Sequence, residues 1–74
     1  MNPTKLQIVQ QIVRQAPKDA LANHKKRRVF ALQLAQRLDI WDEFALSFVE
    51  EMAGLNFKRH EDRELFIQFA ETGL

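Results

Sequence analysis

Apolar residues recur along this chain at steps of three and four. That is the helical repeat, so the pattern predicts an all-α fold. Pro3-Thr4 opens a first helix carrying Leu6, Ile8, Val9, Ile12, Val13 and Ala16, and Pro17 closes it. Its apolar arc is wider than one stripe, which predicts burial on two sides or a role in a subunit contact. A second, longest helix starts between Pro17 and Asn23 and runs to about Leu38. The helix-forming Ala20-Leu21-Ala22 favours the earlier start, although Asn23 is itself a good N-cap.

Asp39 reads as the N-cap of a third helix, with Asp42 completing a capping-box pattern. Trp41, Phe44, Ala45, Phe48 and Met52 mark its expected buried face. Gly54 is expected to end it in a left-handed conformation, with Leu55 folding back in a Schellman-type stop. A fourth helix spans about Lys58 to Glu71, with Leu65, Phe66, Phe69 and Ala70 inward and Gly73 as its stop. These short connections predict one domain over residues 1–74, a small bundle or orthogonal array of about four helices.

A chain of 74 residues builds a marginal core, and the absence of cysteine removes disulfides as a supplement. A homodimer is therefore expected, with Ile8, Ile12 and Phe66 on the apolar faces of the first and fourth helices as its interface. Phe57, near a loop, and Phe66, at the edge of a stripe, are the aromatics whose exposure would point to a protein interface. Charged or amide side chains interrupt every apolar run, so no membrane span is expected. With no signal-peptide pattern at the N-terminus, the expected location is cytoplasmic.

Charge is divided sharply along the chain. Residues 1–37 hold eight basic side chains and one acidic, a net +7, whereas residues 38–74 hold three and nine, a net −6. Such a division points to an interaction surface on either half, or to halves that attract one another. The densest basic run, Lys25, Lys26, Arg27 and Arg28, together with Lys58 and Arg59, forms a candidate site for nucleic acid or an acidic partner. Asp42, Glu43, Glu50 and Glu51 form a candidate surface for a protein partner. Successive residues sweep around a helix, so the basic run cannot all face one ligand.

Leu34-Ala35-Gln36-Arg37-Leu38-Asp39-Ile40-Trp41 resembles the turn region of bacterial helix-turn-helix regulators. Asp39 replaces the turn glycine of that pattern, and Trp41 replaces a small polar cap. The resemblance implies that the third helix enters a DNA groove, but that helix carries Asp42, Glu43, Glu50 and Glu51 and no cation. Phosphate repels such a surface.

Catalytic chemistry has little to work with. His60-Glu61-Asp62-Arg63-Glu64 has glutamate where the zinc-protease helix needs its second histidine. Ser47 has no histidine nearby in sequence, and neither a cysteine nor a glycine-rich phosphate loop is present. The expectation is a non-enzymatic regulatory or adaptor protein without cofactor that binds an unidentified protein, with nucleic-acid binding through the basic second helix as the alternative.

Overall fold

The computed structural model describes all residues, 1–74. It is all-helical: α1 Pro3–Gln15, α2 His24–Leu38, α3 Asp42–Glu51 and α4 His60–Gly73. Local chemistry sets each boundary. The Asn2 side chain accepts a hydrogen bond from the Lys5 N–H at 2.8 Å, with Pro3 in the first turn where its missing N–H costs nothing. The Asn23 side chain does the same for the Lys26 N–H at 2.9 Å.

The earlier start expected for the second helix is therefore wrong. Residues 17–23 form turns closed by bonds from the Ala20 N–H to the Pro17 carbonyl and from the Ala22 N–H to the Asp19 carbonyl. Ala20 and Leu21 still reach the core, but from this turn. The Asn23 cap outweighs the helix preference of Ala20, Leu21 and Ala22, which is worth only tenths of a kcal/mol per position.

Asp39 also has a different task from the one expected. It ends α2 instead of starting α3, in the left-handed region at φ 55° and ψ 52°. The Ile40 N–H reaches back to the Ala35 carbonyl at 3.0 Å, a Schellman-type stop. Aspartate is among the few residues other than glycine that tolerate this conformation. The expected stop of that kind at Gly54 is absent: no glycine has positive φ, and α3 ends at Glu51 with Met52 as its C-cap. Trp41 takes the N-cap position of α3 without a side-chain bond, and Asp42 and Glu43 supply the negative charge that suits a helix start.

Every buried side chain is apolar, and together they form one cluster. Its centre is aromatic. Phe66 packs edge-to-face against Phe30, Phe48 and Phe57 at centroid distances of 5.6, 5.3 and 5.5 Å. Such pairs contribute about 0.5–1.5 kcal/mol each beyond their area. Phe57 and Phe66, the aromatics singled out as candidates for exposure, are thus the middle of the core, and Phe66 faces inward as the spacing of the fourth helix predicts. Residue 57 lies in a loop, but the loop is pinned: the Arg63 guanidinium stacks 5.2 Å from the Phe57 ring and donates to its carbonyl at 2.8 Å.

Arg63 does more than hold that loop. Its Nη1 donates to the carbonyls of Val13 at 2.7 Å, Ala16 at 2.8 Å and, more weakly, Arg14 at 3.3 Å. The last turn of a helix leaves its carbonyls without partners and carries negative partial charge, so a cation there answers both needs. At the same end Arg14 forms a two-pronged pair with Glu64, at 2.9 and 3.1 Å. At the opposite end the Met1 amino group lies 3.5 Å from the Glu71 carbonyl, so α1 and α4 run antiparallel. α2 packs most extensively on α3 and also touches α1.

Replacing Arg63 by methionine leaves the Ala16 and Phe57 carbonyls without a side-chain donor and Val13 with only the long 3.3 Å bond from the Ala16 N–H. The expected loss is about 2–3 kcal/mol of unfolding free energy, read as a lowered midpoint in urea by circular dichroism. Arg63→Lys restores less than half of it, because an ammonium cannot span the same fork of acceptors. Equal stability of all three proteins would show that Arg63 is not a structural clamp.

Candidate functional site

The candidate basic site separates into parts. Lys26 is paired with Asp19. Arg27 is mostly covered, donating to the Glu50 carboxylate at 2.8 Å and to the Leu21 carbonyl at 3.1 Å. Lys25 and Arg28 point to solvent beside Val29, which is 65% exposed. Lys58 is exposed next to a shallow groove that Lys18, Asp19 and Asn56 also line, and Arg59 is exposed at the N-cap of α4. Two of the six expected cations are therefore paired to carboxylates of the same chain, Lys26 at the surface and Arg27 mostly covered, and the other four are not gathered on one helix face.

The candidate acidic surface divides as well. Glu50 turns inward to Arg27, with His24 Nδ1 3.6 Å away, so it belongs to the α2–α3 contact. Asp42, Glu43 and Glu51 are exposed. The two halves of opposite charge thus do meet within one chain, through Arg27–Glu50 and Arg14–Glu64. Hydrogen bonds from these arginines hold Glu50 and Glu64 below the ordinary carboxylate range, and the Lys26 bond lowers Asp19. The same bonds raise Arg14 and Arg27 above the usual arginine value.

Of the residues expected at a dimer contact, Ile12 and Phe66 are buried in the core of the single chain. Ile8 is half-buried on α1. A subunit interface cannot be built on Ile12 or Phe66 while this core is closed.

The exposed apolar residues lie elsewhere, where they were expected to be buried. Trp41 is 82% exposed, Phe44 on α3 is 48% exposed, and Phe69 on α4 is 46% exposed. Leu65, one turn before Phe69, is exposed as well. Phe44, Phe48, Met52 and Phe69, with Ser47, Glu51 and Gly73, line a groove of 240 Å³ between α3 and α4. The core takes Ala45, Phe48 and Val49 from α3 and Phe66, Ile67 and Ala70 from α4, an arc displaced from the expected one in both helices. Both helices carry apolar residues on more than one arc, and only the direction of packing selects which arc is covered.

The α2–α3 turn supplies the left-handed residue that the helix-turn-helix resemblance calls for, at Asp39. The exposed surface of α3 nevertheless carries Asp42, Glu43 and Glu51, and no Lys or Arg lies anywhere on that helix. No helix is long and apolar enough to cross a membrane. No family model matches the chain, and no curated protein or solved structure does either.

A carboxylate held below its ordinary range stabilises the fold in full above its unfolded-state pKa, about 4.3 for Glu. That contribution is lost as pH falls through the lower folded-state value. The thermal midpoint should thus stay level from neutrality to roughly pH 5 and then drop. In the Glu50→Gln, Glu64→Gln double variant the acid drop should be shallower. Parallel melting-versus-pH curves for the two proteins would remove both pairs as sources of pH-dependent stability.

Proposed function

We propose that this chain is a small non-enzymatic adaptor or regulatory domain that binds another protein through the exposed aromatic surface of α3 and α4. The observation that carries this reading is the solvent exposure of Phe44 and Phe69 on the two sides of one groove, with Trp41 also exposed at the start of α3. Burying aromatic side chains yields the largest free energy per residue in protein contacts, and tryptophan is the residue type most enriched at their energetic centres. Scattered single apolar residues on a surface need no explanation, whereas a cluster around a concavity marks a binding face. The buried apolar cluster is formed within one chain, and in this reading that chain is the binding unit.

Nucleic-acid binding is the weaker reading. It needs several free cations on one face to displace counterions from phosphate. Lys26 and Arg27 are already paired to carboxylates, which leaves Lys25 and Arg28 as the free members of the run.

Photo-crosslinking separates the faces. A benzophenone amino acid at position 41 or 69 should yield discrete protein adducts in the host cell, suppressed by excess unmodified protein, whereas the same group at position 29 on α2 should not. Equal or absent adducts from all three positions would overturn the assignment of the binding face. In a gel-shift titration at low salt, unspecific duplex DNA should remain unshifted. A shift that weakens steeply with added salt would favour the basic face instead.

A further inference from the structure

We infer that the groove between α3 and α4 receives a basic amphipathic helix of the partner protein, an inference that rests on the protein-binding reading above. Three independent features converge on that chemistry. First, the groove is apolar at its floor. Phe48 forms part of it, and the end of α4 lies so close that a Cβ added at Gly73 would meet the Phe48 ring at 3.3 Å. Phe44 and Phe69 stand half-exposed on the two sides, with Met52 between them and the end. A trough of this kind between two helices accepts the apolar stripe of a third, spaced at three and four residues.

Second, Glu51 lines the groove, and the rest of the exposed charge on α3 is acidic and uncompensated as well. Asp42, Glu43 and Glu51 are exposed and have no ion-pair partner, unlike Glu50 and Glu64. α3 has no cation, and the one arginine of α4, Arg63, is committed to the carbonyls of α1 and to Phe57. Third, Met52 and Gly73 place the C-terminal ends of both helices at the groove, and neither helix has a basic residue in its last turn. α1 and α2 do, in Arg14 and Arg37. The end of α3 with its negative partial charge and the Glu51 carboxylate therefore border an apolar trough on a helix whose other exposed charges, Asp42 and Glu43, are also acidic, and lysines or arginines flanking an inserted stripe would answer them.

A second copy of the chain fits less well. Two-fold pairing of this surface on itself would bring each carboxylate rim against its equal, which costs association free energy. Insertion of the basic α2 of another copy would be head-to-tail and would leave an unfilled groove at one end of every assembly that does not close into a ring.

Trp41 makes the test direct. It is the sole tryptophan, and the chain has no tyrosine, so emission comes from one site, the start of α3 three residues before Phe44. The probes are two synthetic peptides without aromatic residues, one built from leucine and lysine and one from leucine and glutamate in the same pattern. At about 18 residues each spans roughly 27 Å as a helix, the longest dimension of the domain. The leucine-lysine peptide is expected to shift Trp41 emission to shorter wavelength in a saturable manner, and the leucine-glutamate peptide to leave it unchanged.

Phe44→Ser with Phe69→Ser, and separately Glu43→Lys with Glu51→Lys, should each weaken the binding by about tenfold or more. Arg28→Glu should not weaken it. All the substituted side chains are exposed, and circular dichroism checks that each variant keeps its fold. Binding that survives the serine pair would be mere charge attraction and would overturn insertion into the groove. So would equal binding of both peptides, or a blue shift that grows with protein concentration alone and tracks a doubling of sedimenting mass. Crosslinks from position 69 combined with no binding of the leucine-lysine peptide would leave protein binding standing and remove the basic helix as its form.

Discussion

The guanidinium of Arg63 holds this fold together at the place where helix packing alone would leave it open. It sits between the C-terminal end of α1 and the loop before α4, giving hydrogen bonds to Val13, Ala16 and Phe57 carbonyls and stacking on the Phe57 ring. Removing the Phe57 loop would uncover Phe66 and Phe30, whose rings pack against it. One cation thereby connects the end of the first helix to the aromatic centre of the core. A domain this small has few layers of side chains, and no disulfide backs up the connection.

Fixing α4 in this way also decides what remains outside. With Phe66, Ile67 and Ala70 turned inward and Arg63 turned to α1, Leu65 and Phe69 fall on the flank beside α3. The same applies to α3, where the inward arc of Ala45, Phe48 and Val49 leaves Phe44 in solvent and Trp41 at the helix entrance. The exposed aromatic surface is thus a by-product of how the core is filled, and its acidic surroundings come from the division of charge along the chain.

Much of this architecture is legible in the sequence, and its failures share one cause. The number of helices, their order and the stop after Pro3–Gln15 follow from spacing and punctuation. The exposed and buried faces do not, because α3 and α4 each offer two overlapping apolar arcs, and a period cannot say which one meets a neighbour. Asp39 shows the same limit for boundaries. Its side chain suits the start of α3, but its backbone is used at the end of α2, where left-handed geometry outweighs capping. Phe57 looked peripheral since it lies in a loop, and only Arg63, six residues later, explains its burial. For the candidate site, the net charge of each half could be read directly, whereas the pairs that neutralise Arg27, Glu50 and Lys26 within the chain depend on tertiary contact.

The bonds from Arg63 to Val13 and Ala16 join residues 50 and 47 positions apart. During synthesis α1 therefore emerges well before the side chain that completes it. At chain elongation of about 5–20 residues per second, that interval is roughly 2–10 s. For those seconds Val9, Ile12 and Val13, all buried in the finished molecule, have no α4 to lie against. The nascent chain thus presents an apolar helix whose own surroundings carry Lys5 and Arg14 and no acid. Protection of that segment until α4 arrives falls to the translation machinery and its chaperones, so the antiparallel seam between α1 and α4 sets the length of the molecule's vulnerable period.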